Sequence, residues 1–566
     1  MEYLILAIAM ALLVVLLMGK EYLNSLSFQK KILEKMYQGY GSLPTRNYGA
    51  EELDHICCYY EKHRKEHMID DITWSDLNMD SIYQMMNSSC SAAGDEYLYY
   101  RLRTPLYDRQ ELEEEERQIR YFAEHEKERQ AVQQELWKMG RSGKHSIYEY
   151  LENLDTLGVR TNTKYYLFDL LVLAGIGIMF FSLPVGIVFF LAVSCHNVVN
   201  YYKEYKEVEP YVTSFYYIRR MLDGAEQIGK LPLDDFGEQK NRLKECCRAL
   251  RAFARNSNLV ISIEKGSGNP LSVVIDYLRM FLYLDLIQFN RTLSELRSHL
   301  TEVDELVTIT GQMETAIVIG SYRAYLGDGW CVPEFVTENS KKAFLQIRDA
   351  VHPLLTDPVA NSINAQKSVL LTGSNASGKS TFLRTVGVCA LLAQTIHTCP
   401  AKEYRAPLFY IYSSMSLKDD VQSGNSYYMA EVKSIKRILD QVQEAGKEQM
   451  KVLCFVDEVL RGTNTVERIS ASTQILRMLA RENVVCFAAT HDGELTQLLQ
   501  SVYDNYHFEE KMEQDDILFP YQLIKGPATT RNAIALLRIL GYDPGIVSQA
   551  EEMAKRFLDS GEWSVS

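Results

Sequence analysis

The sequence carries no surplus of positive charge: 60 lysines and arginines face 74 aspartates and glutamates, a formal net charge of −14 over 566 residues. A uniformly basic, polyanion-coating surface is therefore excluded, and any nucleic-acid contact is confined to a local patch. Among the 11 cysteines there is no repeated C-x-x-C pair; Cys57-Cys58 and Cys246-Cys247 are adjacent and the others scattered. Neither a zinc site nor a disulfide framework is indicated, and reduced thiols in a cytosolic body fit best. No basic stretch precedes the first apolar run, Tyr3 to Gly19, and no A-x-A cleavage pattern follows it, only Lys20-Glu21. That combination favours an uncleaved anchor over 1–20 rather than a signal peptide, close to the ~20 residues that a bilayer span needs. Lys20, Lys30, Lys31 and Lys35 come after it, and the positive-inside rule directs the following chain to the cytoplasm.

At 566 residues the chain exceeds one core, because domains stop growing near ~250 to 300 residues. Residues 21–163 turn polar and helical. Their run "RQELEEEERQIRYFAEHEKERQAVQQELWKM" sets apolar residues at helical intervals among dense charges of both signs, the pattern of a solvated amphipathic helix pair with no chemistry in its glutamates. A second apolar stretch, Tyr165 to Cys195, occupies 164–196 with one acid, Asp169, and a central "FFSLPVG". About 30 residues is too long for one ordinary span and short for two full ones. Two short or tilted helices turning near Ser182-Leu183-Pro184 are expected, in a membrane rather than a soluble core because hardly any polar face is present. Helical patterning returns over 197–345, interrupted at Asp223-Gly224, Pro232 and Gly266 to Pro270, and ends in a long lever packed on one side. The Gly- and Pro-punctuated "LGDGWCVPEF" then leads to a last domain, 346–566.

That last domain holds the chemistry. Val369 to Leu371 read as a short buried strand that breaks into Gly373-Ser374-Asn375-Ala376-Ser377-Gly378-Lys379-Ser380, the phosphate-loop spacing G-x-x-x-x-G-K-[ST], followed by Thr381. A helix should start there, its free amides and positive dipole end facing the loop, so that a di- or triphosphate takes backbone hydrogen bonds. Lys379 is then set to reach the outer phosphates and Ser380 to hold magnesium. About 80 residues on, "KVLCFVDEVLRG" ends a second buried strand in Asp457 and Glu458, the first suited to the Mg2+ shell and the second to polarising an attacking water. A third strand, "VVCFAATHD", closes on His491, which can sense the terminal phosphate or position the water.

From about His352 onward the chain resembles the ATPase domain of MutS-type mismatch-repair proteins, which belong with the ABC-type ATPases. The resemblance is carried by "DPVANSI", "TGSNASGKSTFLRTVGVCALLAQTIHTCPA", "DDVQSGNSYYMAEVKSIKRIL", "DEVLRGTNT" and "ATHDGELTQL". It implies an α/β P-loop ATPase domain of the ABC/MutS type at the C-terminus, preceded by an all-α lever or core domain, here with transmembrane helices. It further implies ATP and Mg2+ as cofactors and a homodimer whose sites are shared. On that resemblance Val359 and Asn361 border the adenine, Asn375 lies near the outer phosphates, and Ser426 touches the partner subunit's nucleotide. Glu458, His491 and Lys379 take the catalytic roles, and "NAIALLRILG" with "GIVSQAEEMAKRFL" resembles the closing helix-turn-helix. Upstream, the segment from Asp76 to Phe122 resembles the start of the family's lever domain.

The departures bear on function. The resemblance calls for a mismatch-reading domain with a Phe-x-Glu wedge, and none is found before Ile69; a connector domain is missing too, and the apolar hairpin stands where a DNA clamp is expected. The expectation is an integral membrane ATPase with its nucleotide domain in the cytoplasm. DNA binding is implied by the resemblance alone, and the alternative is a membrane mechanoenzyme acting on a protein or lipid partner.

Overall fold

The structure, a computed structural model, describes residues 20, 23–24, 27–143, 145–261, 280–336, 342–374, 377–415, 427–461, 463–513, 516–528, 534, 537–538 and 541–560. The anchor expected over 1–20 lies outside them but for its last position, as do the interruption at Gly266 to Pro270, Asn375, Ala376, Ser426 and most of the first closing helix. The chain forms two units, one of Met1–Arg64, Met86–Tyr100 and Arg117–Tyr325, the other of Lys65–Met85, Arg101–Glu116 and Leu326–Ser566.

All the regular elements among the first unit's described residues are helices. Its central rod is Leu300–Leu326, where buried Val303, Leu306, Val307, Thr310, Met313 and Ile317 recur at three- and four-residue steps, the spacing of one helix face. From Thr315 to Arg323 every residue is buried, so the lever is one-sided only in its first half; beyond that it runs through the interior. Gly311 marks its closest approach to a neighbour: a Cβ there would lie 2.5 Å from Tyr97 Cβ and 2.7 Å from the Ala93 carbonyl oxygen. One turn on, the buried Glu314 carboxylate accepts the Cys90 amide at 2.6 Å, the Ser91 amide at 3.3 Å and the Ser91 hydroxyl. These groups open the helix Ala92–Arg103, where free amides and the dipole favour negative charge.

The apolar hairpin is two helices, Thr163–Met179 and Leu183–Ile228, joined at 180–182 with Pro184 in the second helix's first turn. The turn falls where the sequence put it, since proline is tolerated at a helix start and not within it. The second helix is not short: its 46 residues run on past the apolar part, where Val212, Phe215, Ile218, Met221, Leu222 and Ala225 are buried. Asp223-Gly224 does not interrupt it, because Gly224 packs on Met139. In the hairpin itself Leu167, Leu170, Leu173, Val188 and Leu191 are exposed, and Phe180 and Phe181 at the turn are 86% and 95% so. Such a continuous apolar surface is far from what a water-facing domain carries. The second helix is long and apolar enough to cross a membrane, its most apolar window having a mean hydropathy of 1.7 with 17% of it buried.

The second unit is built on a six-stranded sheet. With β1 Glu334–Phe335, β2 Leu345–Ala350, β3 Asn361–Ala365, β4 Ser368–Thr372, β5 Glu403–Ala406, β6 Phe409–Ser414, β7 Lys451–Asp457, β8 Val484–Ala489, β9 Tyr503–His507 and β12 Ile524–Lys525, the order is β12-β9-β4-β8-β7-β6. The five strands from β9 to β6 are parallel, and β12 is antiparallel to β9. A second sheet, β1-β5-β2-β3, stands beside it, and β10 Lys511–Glu513 pairs with β11 Asp516–Leu518 as a separate ribbon. Buried on both faces, β4, β6 and β8 read as unbroken apolar or small runs, as parallel strands covered by helices do. Lys379–Ile396 is buried along almost its full length.

Two upstream segments join this unit. Asp76, ending the helix Asp71–Asp76, accepts the Ser413 hydroxyl at 2.7 Å and the Met415 amide at 2.8 Å. The charged run does form two helices, Arg109–Glu124 and Glu126–Met139, but its glutamates are not all solvated: Glu115 pairs with Arg101 and Glu116 with His397, each at 3.1 Å.

The contact at Gly311 yields a test. Gly311→Val should shift the urea midpoint of the helical unit by the equivalent of about 1 to 3 kcal/mol through overpacking; a midpoint unchanged from the parent, followed by circular dichroism, is incompatible with the close approach.

Candidate functional site

Register assembles the site. Leu371 of β4 pairs with Ala489 of β8, and Ala489 pairs with Asp457 of β7, so three parallel strands end in one row. Ligands of open parallel sheets lie outside such carboxyl ends. The phosphate loop leaves β4 two residues past Leu371, Glu458 follows Asp457 directly, and His491 comes two residues past Ala489. Amides of the turns tie the row together: Glu458 donates to the Ala489 carbonyl and Thr490 to the Leu371 carbonyl, both at 2.9 Å.

Gly373 opens the loop at φ 145°, where a Cβ would meet the Phe508 carbonyl oxygen at 2.6 Å; only glycine accepts that conformation cheaply. Lys379, in the first turn of the buried helix, curls back so that its ammonium donates to the carbonyls of Gly373 at 2.9 Å and Ser374 at 2.7 Å. Burial pushes the Lys379 amine below its ordinary value, against the pull of Asp457 and Glu458. The Ser380 hydroxyl donates to Asp457, which brings the two expected magnesium ligands together. Among the described residues buried Ser377 Oγ has no hydrogen-bond partner, an unmet polar group that a phosphate oxygen suits. The Ser374 hydroxyl donates to Glu510 at 2.9 Å.

Glu458 has both oxygens engaged. Oε1 lies 2.9 Å from His491 Nε2, and Oε2 accepts from the Arg461 guanidinium. Burial pushes the Glu458 carboxyl up, but the hydrogen bonds and charges of His491 and Arg461 outweigh it and hold the group down to about 2. The backbone here is unusual: Glu458 and Leu460 have φ of 56° and 61°, the left-handed region that costs a branched or bulky residue about 1 kcal/mol or more. Buried Glu431, from the helix Tyr427–Lys447, stabilises the turn by accepting the amides of Leu460 at 2.5 Å and Arg461 at 3.4 Å. After β8, Asp492 grips Arg468 through two hydrogen bonds of 2.9 and 2.7 Å, which fixes the exit that carries His491.

Ser377, Lys379, Ser380, Asp457, Glu458, Arg461 and His491 line one cavity of about 450 Å³ together with Gly378, Thr381, His352, Leu355, Pro358, Val359, Asn361 and Tyr521. Its lining thus combines the ionic groups with apolar side chains such as Leu355, Pro358 and Val359. Val359 and Asn361, expected beside an adenine, belong to this lining, but the Asn361 amide is spoken for: it donates to the Tyr521 carbonyl at 2.9 Å and accepts the Leu523 amide at 2.8 Å. Its contribution is to hold Tyr521, whose ring lies against Gly378. His352 is buried, and burial together with Arg384 pulls its imidazole down to about 4, so it is neutral at pH 7.

Of the residues nominated from the sequence, Val359, Asn361, Ser377, Gly378, Lys379, Ser380, Thr381, Asp457, Glu458 and His491 line the cavity, while Gly373 and Ser374 are not among its lining residues; Asn375, Ala376 and Ser426 lie outside the described residues. Sequence reasoning missed Arg461, His352, Tyr521, Glu431 and Glu510. Arg461 and Glu431 stood inside quoted motifs without a spacing rule to say where their side chains turn. Tyr521 and Glu510 follow the last parallel strand in a stretch with no motif at all.

The family model for MutS domain V matches residues 369–558. The DNA mismatch repair protein MutS of Thermus aquaticus is 33% identical over 214 residues, 37% of this chain and 26% of that protein. Its counterpart in Pseudothermotoga lettingae is 30% identical over 280 residues, 47% of this chain and 32% of the relative. The chain thus spans about a quarter to a third of the length of the curated relatives it matches. The matched span contains the three strand ends that bear Lys379, Asp457, Glu458 and His491, and over that span the chain is similar to domain V of the MutS family.

Proposed function

We propose that the chain is a membrane-anchored ATPase that binds and hydrolyses ATP with Mg2+ at sites shared across a homodimer. The supporting observation is the convergence of Lys379, Ser380, Asp457, Glu458 and His491, from three strand ends, on one cavity with apolar side chains in its lining. ATP, when bound, supplies the phosphoryl group that water attacks, and Mg2+ neutralises its outer oxygens. Lys379 exchanges loop carbonyls for phosphate oxygens, and Ser380 with Asp457 holds the metal. Glu458 orients the attacking water; its carboxyl is held down to about 2 by His491 and Arg461, and a loosened Arg461 contact would raise its basicity. His491 fixes Glu458 from one side and faces the same cavity. Each Glu458 oxygen keeps a second lone pair beside its Arg461 or His491 contact, on which a water can be held. Gly373, Ser374, Asn375, Ala376, Ser377, Gly378 and Thr381 complete the phosphate cradle, Val359 and Asn361 border the base, and Ser426 completes the site across the dimer.

The output is a second part of the reading. DNA binding rests on the relatives' name, DNA mismatch repair protein, and on the shared domain. A membrane mechanoenzyme is favoured by the exposed apolar hairpin with Phe180 and Phe181 at its tip, which a lipid phase would cover. In that form nucleotide-dependent changes in the ATPase unit are passed to the helical unit, integral to the membrane.

Three outcomes are expected. Lys379→Ala and Glu458→Gln should each lower steady-state ATP turnover at least about 100-fold, the scale of losing one preorganised charge contact; near-parental phosphate release in either variant overturns the site. Because Glu458 is held lower in the folded chain than its unfolded value of about 4.3, its stabilisation is complete above about pH 4.3 and is lost as pH falls towards 2. The parental urea midpoint should therefore fall more steeply across that window than that of Glu458→Gln, and parallel curves would contradict the pairing. In a salt titration with duplex, mismatched and branched DNA, no retention even at low salt excludes the DNA reading, while a steep salt slope supports it.

A further inference from the structure

A second constellation lies within the helical unit, built without any cysteine. His55 sits in the last turn of the helix Ala50–Ile56, and His145 and Glu149 stand four residues apart where the helix Ile147–Glu152 begins. His55 Nδ1 is 2.7 Å from Glu149 Oε1, and His145 Nδ1 is 3.0 Å from Glu149 Oε2, so two imidazoles claim the two oxygens of one carboxylate. The rings meet edge-on, centroids 5.0 Å apart with 69° between their planes. One ligand atom from each of the three residues lies within 4.8 Å of the others.

We propose that His55, His145 and Glu149 bind a divalent cation of the zinc class, with water in the remaining position. The residue types are those that zinc selects, two imidazoles and a carboxylate, and three protein ligands leave one place open to solvent. With bonds of about 2.1 Å, neighbouring ligand atoms of a tetrahedral site are about 3.4 Å apart. The 2.7 and 3.0 Å contacts run to the two different oxygens of Glu149, and the three ligand atoms, within 4.8 Å of one another, are drawn to that spacing by movement of side chains that are all at least partly exposed. A coordinated imidazole carries its one proton on the nitrogen that does not bind the metal. Access is provided by the side chains' exposure, 24% for His55, 31% for Glu149 and 54% for His145. The alternative occupation of the same geometry is two protons shared with one carboxylate, a pair of surface hydrogen bonds with little energy in them. A metal ion would instead join segments 94 residues apart, one leading out of the N-terminal region and the other just ahead of the apolar hairpin.

The test uses the full-length protein in detergent, stripped with a chelator and titrated with Co2+ as a spectroscopic probe. One equivalent should bind with visible ligand-field bands and no sulfur-to-cobalt charge transfer, be displaced by Zn2+, and raise the melting temperature. His145→Gln, at an exposed position, and the double variant His55→Ala, Glu149→Gln should weaken cobalt binding at least about tenfold with unchanged circular dichroism. A thiolate-type spectrum, unaltered stoichiometry in these variants, or no binding by the parent overturns the assignment. Should the double variant fail to fold, the His145→Gln titration alone decides.

Discussion

The lateral register of three parallel strands is the constraint on which the candidate site depends. Leu371, Ala489 and Asp457 share one level across β4, β8 and β7, and one residue of slip in any of them would turn its exit to the other face of the sheet. The interposed β8 is what separates the lysine-bearing loop from the acids by the width of a strand, leaving room for a charged ligand between them. Apolar pairs behind this row, Cys454 with Cys486 and Phe455 with Phe487, keep the register by packing while the row itself stays polar.

Charge is balanced without a ligand. Lys379 is satisfied by two carbonyls, and Glu458 by one histidine and one arginine. A buried ammonium or carboxylate left alone is costly, so these internal partners stabilise the folded site.

Local spacing made much of this legible. The phosphate loop, the strand ending in Asp457-Glu458 and the strand before His491 are each encoded within a dozen residues, and their helices and strands follow from apolar runs meeting glycine. What could not be read depends on contacts made far along the chain. Nothing in the sequence around Asp76 says that its carboxylate caps the end of β6, and nothing marks Glu115 and Glu116 as partners of Arg101 and His397 among so many solvated acids. Asp223-Gly224 looked like a helix break because glycine usually is one, and tertiary packing on Met139 overrode that propensity. Tyr521 sits on the cavity because Asn361 holds its backbone, a pairing across 160 residues that no periodicity foretells.

The 46-residue helix Leu183–Ile228 has a mechanical consequence. At 1.5 Å per residue it is a rod of about 70 Å, apolar and exposed at one end and locked into a packed core at the other, with no loop between the two regimes. A rod clamped in this way transmits twist and tilt rather than absorbing them, so the two environments are torsionally geared to each other. Pro210, inside the helix, removes one backbone hydrogen bond partway along. Compliance is concentrated at that single point, which makes it the joint at which bending of one end is traded against rotation of the other.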